Sequence, residues 1–345
     1  MEGLTTIEKR SDRIVLEANL DYWDKTRLPR VHRIIFDNTL DLKEAVELVK
    51  TSEGRVDLVN ELRPLDTLRV AQSPFAQVVK KRRNFVSVFG MFNMRKAESP
   101  WREVRLRQAV NYAINREDFI RYATRGNGVI IPALVPEGAF GYDPDLAPYP
   151  FDPGTARQLL REAGYPAGRP VLLIAPEALE VQATVVSKML EQIGLSVERQ
   201  VLDARTYTRQ TGIGTLQQPP EQPAWDIALT SRSDIYNFPV YSFYWRFALD
   251  GPLDWVLEQP ELRQLYEQVL HTAGDREQQE RVTRQMERHI HDQAYFLFLY
   301  NPIGLYAVNK EVEFVPHPAG YLILTETAVT EQHWSVRKQK AAGHE

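Results

Sequence analysis

Residues 103–119 read Glu-Val-Arg-Leu-Arg-Gln-Ala-Val-Asn-Tyr-Ala-Ile-Asn-Arg-Glu-Asp-Phe, and this stretch decides the fold. Its apolar residues recur at the spacing of one helix face, at Leu106, Ala109, Val110, Ala113 and Ile114. Arg105, Arg107 and Gln108 fall on the other side, so the pattern predicts an amphipathic helix. Asn115 then caps a second helix, whose first turn carries carboxylates where the helix dipole favours them. The pattern alone is typical of a helical connection in any α/β protein.

A further helix with clear ends is predicted at residues 151–165. Asp152 is placed as the N-cap, Pro153 as the first helical residue and Gly164 as the residue that ends the helix. An apolar strand at 170–175, a helix with one apolar face and a returning strand near 195–201 come next. A strand-helix-strand unit of this length predicts a parallel pair with a right-handed crossover, and therefore an α/β fold.

Length and composition exclude several classes of protein. A chain of 345 residues with 43% hydrophobic content is long enough for two domains. Its net charge of −4 does not favour a nucleic-acid partner, and no apolar run approaches the roughly 20 residues of a membrane span. The chain has no cysteine, which excludes disulfides, thiolate metal sites and cysteine nucleophiles. Its first ten residues lack the pattern of a signal peptide.

The loop after the predicted strand Trp225–Thr230 is the first place to look for a site, because α/β sheets bind ligands beyond the carboxyl ends of their strands. It contains Ser231, Arg232, Asp234, Tyr236 and Asn237. A carboxylate among aromatic side chains suits a cationic group, through ion pairing with cation–π support. The alternative is that Asp234 caps the next helix and the aromatic residues are core. The residues alone favour this alternative.

Catalytic and metal-binding patterns are not found. No nucleotide-binding, nucleophile-elbow or zinc-protease signature occurs. His289 and His291 on one predicted helix point about 200° apart, so they are not expected to share an ion. We therefore expect no catalytic residue, no cofactor and no metal.

The stretch 103–119 resembles the "RVRQAxxYAIDRE" segment of the family 5 extracytoplasmic solute-binding proteins, the dipeptide, oligopeptide and nickel receptors of ABC importers. Residues 151–165 are similar to that family's "YDPEKAKKLLAEAGY". The resemblance implies an α/β, two-lobed periplasmic-binding-protein-like fold of type II. It places part of lobe I at 1–107, lobe II at 108–300 and a return to lobe I at 301–345. Lobe I is expected to be incomplete, because full members carry an N-terminal stretch that this chain, an apparently truncated member, lacks.

The resemblance also implies a set of ligand-binding residues. Asp234 matches the Asp of the family's "WxxDYxDP" segment, which pairs with the amino terminus of a peptide ligand. Ser231 falls where the family often has Trp, and Asn237 falls where its second Asp lies. Arg232 and Tyr236 belong to the same loop. Three further residues are implied elsewhere: Tyr300 facing the cleft, and Phe92 and Asn93 facing it from the other lobe.

The function implied is that of the substrate-binding component of an ABC importer, which holds a peptide or similar small polar solute between two lobes. It would act outside the cytoplasm, with an ABC permease as partner and the membrane reached only through the transporter. One alternative is a ligand-sensing domain of a cytoplasmic transcriptional regulator related to these proteins. A weaker alternative is a hydrolase that depends on Asp234.

Overall fold

The computed structural model describes residues 4–9, 12–52, 54–82, 84–96, 98–211, 224–249, 255–257 and 260–342. The chain forms two compact units. Unit 1 comprises Met1–Arg82 and Gly304–Glu345, and unit 2 comprises Arg83–Ile303. The sequence places the first crossing between the units at 107–108, whereas unit 1 ends at Arg82 in the structure. The crossing is earlier because the strand that follows it pairs with strands of unit 2 only.

Among its described residues, the first part of unit 1 contains five strands, two α-helices and a 3-10 helix at Lys25–Arg27. The strands and α-helices are β1 (Leu4–Lys9), β2 (Arg13–Ala18), β3 (Arg33–Asp37), α1 (Leu42–Val49), β4 (Leu58–Val59), α2 (Thr67–Ala71) and β5 (Ala76–Lys81). The first three strands form an antiparallel sheet in the order β1-β2-β3.

Unit 2 alternates helices with strands. Its strands are β6 (Val86–Phe92), β7 (Gly128–Ile130), β8 (Val171–Pro176), β9 (Val197–Leu202), β10 (Ile227–Ser233) and β11 (Phe296–Pro302). Its helices are α3 (Val104–Ala113), α4 (Arg116–Thr124), α5 (Pro153–Glu162), α6 (Glu180–Gln192), α7 (Ala204–Thr211), α8 (Arg246–Ala248), α9 (Pro260–His271) and α10 (Arg276–Asp292).

The chain then returns to unit 1. The returning elements are β12 (Gly304–Asn309), β13 (Val312–Glu313), β14 (Ala328–Val329) and α11 (Trp334–Ala342). β12 lies between β4 and β5 in a second sheet and is antiparallel to both. Tyr306, Val308 and Val312 form the centre of a small apolar core in this unit.

The six strands of unit 2 form one mixed sheet in the order β7-β11-β6-β10-β8-β9. The pair β8–β9 is parallel, as the predicted strand-helix-strand unit requires. β10 is also parallel to β8. β6 is antiparallel to both of its neighbours, and β7 is antiparallel to β11. The carboxyl ends of β8, β9, β10 and β11 therefore share one edge of the sheet, which is where such sheets bind ligands.

The predicted helix pair at 103–119 is confirmed. Asn115 separates α3 from α4 and its Oδ1 accepts a hydrogen bond from the Asp118 N–H at 3.1 Å. One detail differs, because Arg107 is 2% exposed rather than on a solvated face. Its guanidinium donates to the carbonyls of Trp101 and Gln293, both at 2.7 Å, and these bonds compensate for the burial of a charge.

The predicted helix at 151–165 is also confirmed as α5. The Asp152 carboxylate accepts from the Thr155 N–H at 2.9 Å, and Gly164 adopts a positive φ of 70° beyond the helix end. A helix is also predicted at residues 239–247, and here the structure differs in type. Val240–Trp245 is a π-helix, which runs directly into the short α8. Such π-helical turns are rare in proteins as a whole, and those that occur are often found at functional sites.

Candidate functional site

Asp234 lies at the carboxyl end of β10, on the edge of the unit 2 sheet that also carries the carboxyl ends of β8, β9 and β11. The register pairs Ser233 with Val86 at the start of β6. The Asp234 N–H extends this pairing by donating to the Phe85 carbonyl at 2.7 Å. The backbone at Asp234 is thus fixed by the sheet, and the loop begins immediately after it.

The Asp234 side chain is 1% exposed and is held on one side only. Its Oδ1 accepts from the Phe238 N–H at 3.0 Å and from the Ser242 hydroxyl at 2.6 Å. Asp234 therefore caps the turn that leads into the π-helix, as the alternative interpretation holds. Among the described residues its Oδ2 has no hydrogen-bond partner. Burial raises the pKa of this carboxyl, while hydrogen bonding by the Ser242 hydroxyl and by the Phe238 and Tyr236 N–H groups opposes the rise.

The aromatic residues after Asp234 divide into a buried set and an accessible set. Phe243 and Tyr244 are buried in the core of unit 2. Tyr236 is 62% exposed, and its ring meets that of Tyr241 edge to face at 5.5 Å. Tyr241 in turn stacks on Trp245, with the rings 5.2 Å apart and 8° from parallel. The interpretation of all these aromatics as core is therefore wrong for Tyr236 and Tyr241, which are exposed. Trp245 is half-buried and packs against the core, and it completes the accessible set of Tyr236, Tyr241 and Trp245 through its stacking on Tyr241.

Asn237 shapes the loop rather than presenting its side chain freely. Its φ of 49° is in the left-handed region, which Asn tolerates better than most residues. Its Oδ1 accepts from the Phe140 N–H at 2.7 Å, and its own N–H donates to the Asp234 carbonyl at 3.2 Å. Asn237 thus ties the loop after β10 to the loop after β7.

Ser231, Arg232 and Tyr300 lie near the same edge of the sheet. Ser231 is exposed and pairs with Val88 of β6, and Arg232 is half-buried and pairs with Ser87. Tyr300 pairs with the same Val88 from the other side of β6, so it lies about 10 Å from Ser231 across two strand spacings.

Tyr300 is buried by the elements around it. Its hydroxyl accepts from the Gln182 amide at 2.9 Å and its ring lies 5.5 Å from that of Phe119. It is 3% exposed, and burial raises its pKa to about 12. Tyr300 is therefore a neutral phenol that a ligand reaches only if Gln182 or its neighbours move.

Phe92 and Asn93 do not join this site, which corrects the expectation for them. They belong to unit 2, as Asp234 does, and not to the other unit. Phe92 pairs with Ile227 at the opposite end of β6, about 20 Å from the end that carries Asp234. Both side chains are buried, and the Asn93 amide donates to the Trp225 carbonyl at 3.2 Å.

A buried acid near the site is a residue that sequence reasoning missed. Glu287 of α10 is 1% exposed and accepts a short hydrogen bond from the Tyr244 hydroxyl. The signal lies in the helical spacing, since Glu287 shares a face with Thr283, Met286 and Ile290, which are all buried. A carboxyl on the apolar face of a helix indicates a buried polar network.

The part of the chain that the structure describes holds neither a cluster of metal ligands nor a membrane-spanning helix. Across those residues no group of three or more His, Cys, Asp or Glu side chains is placed to hold a metal ion. His289 and His291 diverge as expected: His289 contacts Glu261 at 3.6 Å, and His291 contacts Asp292 at 3.0 Å. None of the described helices combines the length and the apolar character that crossing a bilayer requires.

Comparison with known proteins gives one consistent result. The model of the bacterial extracellular solute-binding proteins, family 5 Middle, matches residues 4–252. The heme-binding protein A of Haemophilus influenzae is 31% identical over 160 residues, and the glutathione-binding protein GsiB of Pectobacterium atrosepticum is 27% identical over 205 residues. These matches cover 46% and 56% of this chain.

The fold is also shared with solved structures. The ABC transporter substrate-binding protein CtaP of Listeria monocytogenes superposes on 95% of this chain with a TM-score of 0.80 and 19% sequence identity. The predicted α/β, periplasmic-binding-protein-like fold of type II is thereby confirmed. The chain spans 28% and 37% of the length of the two relatives above and 66% of the solved chain.

Proposed function

We propose, because the chain belongs to the bacterial extracellular solute-binding proteins of family 5, that it is a substrate-binding component of an ABC importer. Its substrate would be a peptide or similar small polar solute with a cationic group. Its partner would be an ABC permease, and it would act outside the cytoplasm. It would bind its ligand and release it unchanged.

The observation that carries this proposal is the half-satisfied carboxyl of Asp234. Its Oδ1 has two donors, while its Oδ2 is buried and has none among the described residues. An unsatisfied buried acceptor costs about 1–3 kcal/mol. A donor supplied by a ligand would recover this cost when the loop after β10 moves to admit the ligand, because Asp234 is buried in the ligand-free chain. An ammonium group is the natural donor, because a charge-assisted hydrogen bond is about twice as strong as a neutral one.

The accessible aromatic set supports a ligand of this kind. Tyr236, Tyr241 and Trp245 follow Asp234 on the same loop and π-helix, and Tyr236 is largely exposed. Aromatic faces attract cations and also pack the apolar parts of a ligand. A peptide with a free α-amine combines both features, and the glutathione relative binds such a molecule.

A calorimetric titration of the purified chain with glutathione and with dipeptides tests the proposal. Binding should require the free amine, so N-acetylated forms of the same peptides should bind at least about 10-fold more weakly. Asp234→Asn should cause a similar loss. Asp203→Asn is the matched control, because Asp203 ends β9 at the same edge of the sheet but caps α7 from an exposed position.

Two outcomes would contradict the proposal. Equal binding of the acetylated and free peptides would remove the role assigned to Asp234. Chemical conversion of the peptide during the titration, detected by mass spectrometry, would indicate an enzyme in place of a receptor.

A further inference from the structure

The accessible set of Tyr236, Tyr241 and Trp245 forms one continuous aromatic surface. Tyr241 and Trp245 lie close together on the π-helix, and their rings are 8° from parallel. The Tyr236 ring meets the Tyr241 ring at 67°, so these two rings form an aromatic corner. Both are exposed, whereas Phe243 and Tyr244 are buried in the core. Exposed ring faces beside a candidate site indicate contact with a ligand rather than a contribution to the core.

The aromatic corner lies directly beside the Asp234 carboxyl. The Tyr236 N–H hydrogen bonds to this carboxyl. The Ser242 hydroxyl, which donates to its Oδ1 at 2.6 Å, belongs to the residue that follows Tyr241 in the chain. The Oδ2 is buried and has no hydrogen-bond partner among the described residues. A group that binds the carboxyl is therefore within the length of one side chain from the corner.

The carboxyl and the corner select different parts of a ligand. The Asp234 Oδ2 needs a hydrogen-bond donor, which a quaternary ammonium group does not have, so an aromatic cage for such cations does not fit. A primary ammonium group has three donors and carries the charge that favours a carboxylate. The corner presents ring faces, which pack best against another ring in an offset-stacked or edge-to-face arrangement. An amine with a ring close to its nitrogen matches both.

We propose that the site prefers primary amines with an aromatic ring close to the nitrogen, and among peptides those whose first residue is phenylalanine, tyrosine or tryptophan. Tyr236 and Tyr241 are the residues that determine this specificity. The inference rests on the proposed role of Asp234 in binding an amine. In the first residue of a peptide, the α-amine and the side chain share one Cα atom, whereas the ring of a second residue is a whole peptide unit further from the amine.

The ligand-free chain covers the carboxyl but leaves the corner open. Asp234 is buried, while the Tyr236 ring is largely in contact with water. An aromatic group can therefore pack against Tyr236 before the loop after β10 moves, and the amine reaches the Asp234 Oδ2 only afterwards. The corner provides the first contact with the ligand and keeps the amine next to the loop.

Calorimetric titrations with a matched pair of peptides test the inference. Phe-Gly and cyclohexylalanyl-Gly share the α-amine and have similar side-chain shapes, but only Phe-Gly carries an aromatic ring. Phe-Gly should bind about 3-fold more tightly or better, because a pair of aromatic rings is stabilised beyond its buried area. Gly-Phe should have no such advantage over Gly-cyclohexylalanine, because its ring is too far from the amine.

Substitutions at the corner show whether its rings cause this preference. Tyr236→Leu and Tyr241→Leu keep an apolar side chain but remove a ring, and each should bring the affinities of Phe-Gly and cyclohexylalanyl-Gly close to each other. Tyr122→Leu is the matched control, because Tyr122 is exposed on α4 of the same unit. It should keep the wild-type preference. A change that only disturbed the fold would weaken both peptides alike and leave their ratio unaltered.

Phenethylamine and cyclohexylethylamine separate this inference from the proposed function, since neither is a peptide. The wild type should prefer phenethylamine, and Asp234→Asn should weaken the binding of both amines. If this preference is present and is lost in Tyr236→Leu while no peptide binds, the aromatic specificity holds and the peptide class under the proposed function fails.

Three results would overturn the inference. The first is equal binding of Phe-Gly and cyclohexylalanyl-Gly to the wild type, which leaves the proposed function intact if N-acetylation still weakens binding. The second is a preference for Phe-Gly that persists in both Tyr236→Leu and Tyr241→Leu, which would place the ring elsewhere. The third is a wild type that binds neither the amines nor the peptides, which would also refute the proposed role of Asp234.

Discussion

Asn84 and Asn301 are hydrogen bonded to each other beside the two points where the chain passes between the units. The Asn301 amide donates to the Asn84 Oδ1 at 2.7 Å, and the Asn84 amide donates to the Pro302 carbonyl at 2.5 Å. Both side chains are 4% exposed and lie within unit 2. The two connections are thus held together at their unit 2 ends by one hydrogen bond in each direction, from Asn301 to Asn84 and from Asn84 to Pro302.

Loss of this pair should destabilise unit 2. Asn301→Ala removes the buried donor to the Asn84 Oδ1 and to the Val86 carbonyl. We expect the free energy of unfolding to fall by about 1–3 kcal/mol, measured by urea denaturation. Asn19→Ala is the matched control, since Asn19 is exposed and accepts only a local hydrogen bond from Asp21. Equal stability of the two variants would contradict the assignment.

The hydroxyl of Ser242 should control the pH range in which the site binds amines. It donates to the Asp234 Oδ1. This hydrogen bond lowers the pKa of the Asp234 carboxyl, whereas burial raises it. Ser242→Ala removes this opposing effect, so the Asp234 pKa should rise further. Asp234 must be ionised to bind a cation, and the acid limb of the binding curve should therefore move to higher pH. Calorimetric titrations with glutathione over a pH series would measure this limb, and an unchanged limb would disprove the role of Ser242.

Glu287 should make the chain less stable as pH rises. Burial raises the pKa of Glu287 to about 7 in the folded chain, above the ordinary value of 4.5, so the folded state binds the proton more tightly than the unfolded state does. Its stabilising contribution is complete below pH 4.5 and is lost as pH rises towards 7. The shift corresponds to at most about 3 kcal/mol. Glu287→Gln should flatten this part of the curve of unfolding free energy against pH, and a slope equal to that of the wild type would contradict the prediction.

Arg116 should be one of the most sensitive positions of the fold. It is buried and donates to the carbonyls of Asn111, Tyr149 and Phe298, at 3.0–3.1 Å. Arg116→Met leaves these acceptors without a donor and should cost about 3–5 kcal/mol, detected as a large fall in melting temperature. Arg121→Met on the exposed side of the same helix is the control and should have little effect. If the melting temperature falls only slightly in both variants, the buried contacts of Arg116 are not stabilising.

Local signals explain what the sequence predicted well. The caps at Asn115 and Asp152 act within three residues of themselves, so the ends of α4 and α5 can be located from their own neighbourhoods. The prediction of Asp234 as a site residue is local in the same way, because it rests on a predicted strand and on the loop that directly follows that strand. The bond from Asp234 to Phe238 is just as local, which is why its capping role was foreseen as an alternative.

Long-range pairing explains what the sequence could not supply. Phe92 was assigned to the other lobe because nothing near it in the chain reveals that β6 lies between β10 and β11. Tyr244 and Glu287 meet only after α10 has packed against unit 2, and neither residue carries a local sign of the other. Arg107 looked solvated because its acceptors, among them the Gln293 carbonyl, lie far along the chain. Each of these contacts is decided by packing rather than by propensity.

The position of β12 also determines the order in which the sheets of the two units can form during synthesis. This strand is the middle strand of its sheet, yet it emerges from the ribosome only after all of unit 2. Until then β4 and β5 have no partner between them and present unpaired backbone groups, a state that favours association with other chains. Unit 2 can complete its sheet first, because β6 to β11 are contiguous. The nascent chain should therefore be most vulnerable to aggregation in unit 1, and a chaperone that holds its first 82 residues would protect it during that interval.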